Sequence, residues 1–435
     1  MIRDLRGEAR RSAEGQFVHP RYGGYSFADI PGSIASLLGV DSGRSVLDGS
    51  ILEPVRSRGF DHVLLFLIDG FGFNDWLERA AEEPWLARFA ERGSLTSLTA
   101  VFPSTTAAAL TTLSTGLPPL QHGLPEWMIY VEELDEIIFT LPFRRWNSRQ
   151  RDELAALGYD GSLLFEGRTI FDTLAAAGIP SIAFCHSAYA QSAYSLASKR
   201  GSRSVGFLGA ADLAVRIADE LEAATAPTFF YVYWDHLDTL EHAHAPRSRE
   251  ARVEISLMSR LLPTQLPRLL GPAGRRAAER TLLVVTADHG QVPVRAETTI
   301  YLTDSPELNE LLRPRKSGPP ILPTGSLRDV FVHVRAGKVD RTVEVLRQFL
   351  AEKAVVLRTE EALQLGLFGN GTPSERFLRR VGDVLVLPYP QETVWSQYPG
   401  VERPQRLRGH HGGLSADEMF VPFAEAILAD VLEAP

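Results

Sequence analysis

A chain of 435 residues, 44% of them hydrophobic, is long enough to bury a large α/β core, either as one domain with an insertion or as two smaller units. Lys and Arg number 45 against 54 Asp and Glu, a formal net charge of -9 with no long basic block, which argues against a role in coating nucleic acid or an anionic membrane. The single cysteine, Cys185, excludes an internal disulfide and any zinc site built from several thiolates, so a transition metal would have to be held by histidine and carboxylate.

The first stretch, MIRDLRGEARRSAEGQFVHPRYGGYSF, is charged and lacks the apolar centre of a signal peptide. No segment approaches the roughly 18 to 20 apolar residues of a membrane span, and the expectation is a cytoplasmic protein with no membrane partner. HVLLFLI (62–68) is the first β-rich apolar run, and it ends on Asp69 and Gly70. At the carboxyl end of a strand in an open α/β sheet a carboxylate stands where ligands bind, and a glycine admits a close backbone approach; capping of the next helix is the plainer role for such an aspartate. DWLERAAEEPWLARFAERG (75–93) follows as an amphipathic stretch. VFPSTTAAALTTLSTGLPPLQHG (101–123) then places six Ser/Thr hydroxyls ahead of a Thr-Gly turn. Residues from Leu124 to about Gly167, rich in acids, arginines and tryptophan, read as an addition to the core.

SIAFC (181–185) and TFFYVYW (228–234) are further strands. The second runs into Asp235, His236, Asp238, Glu241, His242 and His244. If a helix begins there, Asp238 and His242 share one face at i and i+4, close enough to chelate an ion; a solvated polar turn is the alternative. TLLVVTA (281–287) ends on Asp288, His289 and Gly290. Neighbours in an extended strand point to opposite faces, so both side chains reach one ion only if the backbone turns, which Gly290 permits.

Residues from Arg295 to Arg406 look like a second addition. RPRKSGPPILPTGS reads as an exposed loop, and DVFVHV, DRTVEVLRQFLAEKA and VVLRT as strand, helix and strand of a small α+β cap. DVLVLP (383–388) is another strand, and RLRGHHGGLS sets His410 and His411 in a glycine-rich loop that leaves their imidazoles free to face a ligand. The alternation of strands and amphipathic stretches predicts an α/β fold with a mostly parallel central sheet flanked by helices. Its core would be 1–294 and 407–435, with 295–406 as cap. One shared cause accounts for the four ligand-bearing ends more economically than four coincidences: a two-metal site of oxygen and nitrogen ligands, suited to zinc or manganese.

Most hydroxyls of 101–123 are best read as caps or core. Beside a divalent ion, however, a threonine hydroxyl loses its proton more readily and becomes a nucleophile, and a helix N-terminus favours an incoming phosphate. Taken in order across most of the chain, IDGFG, FPSTTAAALTTLSTGLPPLQHG, DTLEHAHAP, TADHGQ and GHHGGLS resemble the alkaline phosphatase superfamily, and within it the type I phosphodiesterase/nucleotide pyrophosphatase branch. The resemblance implies that superfamily's three-layer fold with a smaller cap, and two divalent ions. Counted from Pro103 and from Thr115, it puts the nucleophile on Thr106 rather than Ser104 or Thr105, with a covalent phospho-threonine intermediate. One ion would fall to Asp69, Thr106, Asp288 and His289, the other to Asp238, His242 and His411.

The chain departs from the family pattern in two places. Glu241 and Ala245 replace glycines between Asp238 and Pro246, and no asparagine follows His122-Gly123 to hold a phosphate oxygen. Glu126, Trp127, Arg144 and Arg145 are the residues available to border the pocket instead. The expected function is hydrolysis of a small-molecule phosphate ester, a diester first, with a phosphomonoesterase or phosphonate hydrolase as alternative. A non-catalytic binding homologue ranks lower, because the nucleophile is retained. The absence of a Cys-x-Pro-x-Arg motif argues against sulfatase chemistry.

Overall fold

The computed structural model of the protein describes residues 1–12, 15–401 and 405–433. An eight-stranded sheet runs through its centre in the order β1 (Ile2–Arg3), β3 (Ser94–Thr99), β19 (Phe420–Ile427), β10 (Thr281–Thr286), β2 (His62–Ile68), β9 (Phe229–Trp234), β7 (Ser181–His186) and β8 (Arg203–Phe207). All neighbours are parallel except β19, which is antiparallel to both β3 and β10. Every residue of β2, β9 and β10 is buried, the pattern of strands covered on both faces by helices rather than of a sheet with one wet side. The helices that matter most below are α1 (Thr106–Thr115), α2 (Ala193–Ser198), α3 (His236–His244) and α4 (Val339–Leu350). Among the described residues no helix is long and apolar enough to cross a membrane.

The α/β architecture is as expected, and four of the five apolar runs read as strands lie in the central sheet; DVLVLP, which falls within 295–406, does not. That segment is a strand, β16 (Val384–Pro388), but it belongs to a second sheet of four antiparallel strands: β13 (Thr324–Gly325), β14 (Val330–Val332), β16 and β15 (Ala354–Arg358). Apolar content alone does not say which sheet a strand joins. The central strands left unread, β3, β8 and β19, are rich in Ser and Thr or interrupted by Pro422 and Glu425, which masks the β signal. The amphipathic stretch 75–93 is two helices, Phe73–Ala80 and Pro84–Arg92, because Pro84 is accepted only in the first turn of a new helix.

The second sheet is sandwiched. Val330, Val332, Val384 and Val386 join a cluster with Leu302 and Leu346 of α4, whereas the alternating Phe331, Leu385 and Leu387 pack into the main core. A bidentate pair rivets the same region to the core: Arg328, between β13 and β14, donates from Nε and Nη2 to the Glu418 carboxylate at 2.9 and 3.0 Å, with both side chains fully buried. The segment after α1 forms a three-stranded meander of β4 (Met128–Val131), β5 (Glu136–Phe139) and β6 (Arg144–Arg145). Met128, Tyr130 and Ile137 pack on Ile321 and Tyr398, so the two additions close over one rim of the central sheet together. Two short pairs complete that rim: β11 (Val292–Pro293) with β18 (Gly409–His410), and β12 (Ile300–Tyr301) with β17 (Val394–Trp395).

Candidate metal centre and active site

Because β2, β9 and β10 are parallel neighbours, their carboxyl ends share one rim. Asp69 follows β2 directly, Asp238 lies in the first turn of α3 just after β9, and Asp288 and His289 follow β10. Gly70 is needed there: its φ is +80°, and a Cβ on it would stand 3.3 Å from the Asp238 backbone. The antiparallel pairing of β11 with β18 carries His411 back to the same place, and a bridge between Ser104 and Gly412 ties that loop to the start of α1. Thr106, nearly buried, is the first residue of α1.

All seven residues singled out from the sequence therefore converge. His289 Nε2 is 3.1 Å from the Thr106 hydroxyl, 3.3 Å from Asp288 Oδ2 and 3.5 Å from Asp69 Oδ1. Asp238 stands 3.4 Å from His242 Nε2 and 3.7 Å from His411 Nε2, and the His289 and His411 rings stack at 3.7 Å. One donor atom from each of Asp238, His242 and His411 lies within 4.8 Å of the others, and so does one from each of Asp69, Asp238 and His289. Asp238 thus stands between the two groups of donors.

The surroundings turn these donors inward. His242 Nδ1 faces the Gly409 carbonyl at 2.8 Å, His411 Nδ1 that of Ser104 at 3.1 Å and His289 Nδ1 that of Gly290 at 3.2 Å. With the proton held on Nδ1, each Nε2 lone pair points to the centre. The Tyr233 hydroxyl donates to Asp69 Oδ2, the Gly70 amide to Asp288 Oδ1 at 3.2 Å, and the Gln291 side-chain amide to Asp238. Asp69 Oδ1 and Asp288 Oδ2 remain buried with no partner.

Burial, and then mutual repulsion, pushes the Asp69 carboxyl far above its ordinary range. Burial likewise raises Asp238 and Asp288 and lowers His289 and His411. Three carboxyls with no Lys or Arg beside them among the described residues, facing three imidazoles, two of which burial disposes to the neutral form, make a donor set that fits divalent ions.

In front of Thr106 lies a pocket of about 500 Å³ whose walls include Glu126, Trp127, Phe139, Trp395, Ser326 and His410. Trp127 is 38% exposed, so it is a wall of this pocket and not core. The two arginines weighed with it do not line the pocket: Arg145 pairs with Glu153, and Arg144 lies over the outer face of Phe139 at 4.4 Å. Adjacent strand residues point to opposite sides, and a strand's direction is invisible before its partner is known. Glu126 is fully buried, with its carboxyl accepting from the Trp127 amide, and burial pushes it up to about 7. Of the other polar residues after β9, the His236 ring lies tilted against Trp234 at 4.4 Å, Glu241 is buried on α3 and His244 is exposed; none joins the centre.

The family model described as type I phosphodiesterase / nucleotide pyrophosphatase matches residues 63–414, a span that contains every one of these residues. The chain belongs to that family. It is accordingly a phosphoric ester hydrolase of a metal-dependent family, on a phosphodiesterase fold. Among solved structures it is similar to murine ectonucleotide pyrophosphatase/phosphodiesterase 5, with a TM-score of 0.61 at 19% identity over 83% of this chain and 87% of that one. It is similar to the human protein of the same name to the same degree. An inactive threonine-to-alanine variant of the murine protein in complex with AMP gives a TM-score of 0.59 at 18% identity, covering 84% of this chain and 87% of the other. No curated protein sequence matches.

Tyr233, Gln291, Asp329 and the carbonyls of Ser104 and Gly409 went unread in the sequence. Tyr233 is part of an apolar strand and Gln291 trails an obvious Asp-His-Gly. Backbone carbonyls carry no sequence signal at all.

Proposed function

We propose that the protein is a phosphodiesterase that works through Thr106 and two divalent ions, zinc or manganese. Asp69, Thr106, Asp288 and His289 would hold one ion, and Asp238, His242 and His411 the other. The convergence of Thr106 with all six predicted Asp and His ligands carries this reading. Such ions, when bound, lower the pKa of a ligated hydroxyl or water and neutralise charge on the phosphoryl oxygens.

Thr106 is placed for attack. It opens α1, so the free amides of the first turn face an incoming phosphate, and its hydroxyl lies 3.1 Å from His289 Nε2, among the donors that would hold an ion able to lower its pKa. The Thr106 oxygen forms a bond to phosphorus as the bond to the leaving alcohol breaks, giving a phospho-threonine ester; water then cleaves that ester and restores the hydroxyl. The walls of the pocket favour a diester over a monoester. Among the described residues no Lys or Arg lines it, so the walls offer no cation to a second negative charge on the phosphoryl group.

Metal-stripped protein, with zinc or manganese restored, should hydrolyse bis-p-nitrophenyl phosphate in preference to p-nitrophenyl phosphate. Thr106→Ala should lose this turnover by roughly 10⁴-fold or more while binding the same number of ions. Near-normal turnover by the variant would refute the nucleophile, and a preference for the monoester would move the function to phosphatase.

A further inference from the structure

A second cavity adjoins the metal centre and differs from the first in charge. It encloses about 160 Å³, and its walls include Trp127, Tyr189, Tyr233, Asp235, Ser195 and Lys199. Trp127 is shared with the pocket in front of Thr106, and the Tyr233 hydroxyl that borders the cavity is bonded to Asp69, so the cavity begins at the centre itself. Its far end is built by α2 and the residues next to it. Lys199, the residue that ends α2, points Nζ to the Ser195 hydroxyl at 3.1 Å and the Cys185 sulfur at 3.5 Å. Neither partner carries the opposite charge, and Lys199 makes no salt bridge with any described carboxylate. The hydroxyls of Ser114, Ser198 and Tyr194 also line the space, and Arg151 adds a second cation. The one carboxylate of the cavity, Asp235, follows β9 and so lies at the end next to the metal centre.

A half-buried ammonium with no carboxylate partner among the described residues is stabilised when an anion arrives. Burial accordingly drives the Lys199 pKa down, with nearby Cys185 opposing. The space amounts to about five water volumes at roughly 30 Å³ each, room for a carboxylate or phosphate at the end of a short arm. No cation lines the pocket at Thr106, so among the described residues the Lys199 cavity is the place beside the centre that welcomes negative charge remote from the reacting phosphorus.

We propose that this cavity is a specificity subsite: it takes an anionic group, carboxylate or phosphate, borne by one alcohol of the diester, with Lys199 as the residue that selects it. The inference rests on the diesterase reading above and narrows it to one class of ester.

The test uses p-nitrophenyl phosphodiesters whose second alcohol ends in a carboxylate, in the matching primary amide, or in a phosphate, over a series of arm lengths. The metal-loaded enzyme should show kcat/KM roughly 10- to 100-fold higher for an anionic arm than for the amide at the fitting length, the range expected of a hydrogen bond to a charged group. The better of the two anionic arms identifies the group. Lys199→Met should bring the ratio close to one, and Lys199→Arg should keep part of it, with melting temperature recorded to show that both variants fold. Turnover of the amides with no preference for either anion at any length overturns this inference alone, as does a preference unmoved in a folded Lys199→Met. No turnover of any diester, bis-p-nitrophenyl phosphate included, overturns the diesterase reading and this inference with it.

Discussion

Two sets of buried acids in this molecule meet burial in opposite ways. Glu418 has no exposed surface, yet its pKa is held below the ordinary value of 4.5, because the Arg328 guanidinium grips it with two hydrogen bonds and the Gly413 and Ser415 amides donate to it at 3.0 and 3.1 Å. Asp69 and Asp288 are as deeply buried, Asp238 slightly less so, and theirs are driven up, first because burial disfavours the charged form and then because no Lys or Arg answers them among the described residues. Buried charge is tolerated when paired and hydrogen-bonded. The first set is complete within the chain. The second is complete only with ions, and that incompleteness distinguishes a site from a strut.

The comparison breaks if the centre does not depend on ions. Chelation followed by dialysis should abolish diester hydrolysis, and zinc or manganese should restore it. At free metal about 1,000-fold above Kd, binding adds about 4 kcal/mol to the folded state, so the melting temperature should rise on add-back; an unchanged melting curve and undiminished activity would sink the two-metal reading. Next in size is the strut. Arg328→Met leaves Glu418 buried and unpaired and should cost about 3–5 kcal/mol, measured by denaturant unfolding, with or without metal. A loss that metal add-back repairs would show that the two sets are coupled rather than separate.

This difference also explains what the sequence disclosed. Metal ligands must be Asp or His in a protein with one cysteine, and they must stand at strand ends, so Asp69, Asp238, Asp288, His289 and His411 were legible as residue types in places that a plain core would not tolerate. The strut was not legible: Arg328 and Glu418 are 90 positions apart and look like surface charges until the fold brings them together. The walls of the pocket sit between these cases. Glu126, Trp127, Arg144 and Arg145 were read as candidates, but which face of the β4–β6 meander looks inward depends on the contact of β4 with β13 and on the packing of Tyr130, Ile137 and Ile321, which no local pattern encodes. The strand DVLVLP was legible as a strand within 295–406, but its pairing with β14 and β15 was not, for the same reason.

A smaller effect tests the polish of the centre rather than its existence. Tyr233→Phe removes the hydroxyl that fixes Asp69 while keeping the ring in the core, and an outer partner of this kind is worth about 10- to 100-fold in metal affinity. Competition with a chromogenic chelator should show that loss; an unchanged affinity would mean that the Asp69 carboxylate is held by its strand alone.

The smallest effect is the dependence of stability on pH, where the two sets should show opposite slopes. Glu418, depressed in the fold, contributes stability that is present above its ordinary 4.5 and is lost as pH falls through the folded value. The three aspartates are raised in the ion-free fold. Between their ordinary 3.8 and the folded values the native state binds more protons than the unfolded one, so the centre loses stability as pH rises. Bound ions replace those protons and cancel that loss. The gap in melting temperature between metal-loaded and metal-free protein should therefore widen from pH 5 to pH 8, and in Arg328→Met it should widen by the same amount, since that substitution touches only the strut. A gap independent of pH would mean that the aspartates are ionised before any ion arrives, and that the centre is satisfied by protein groups after all.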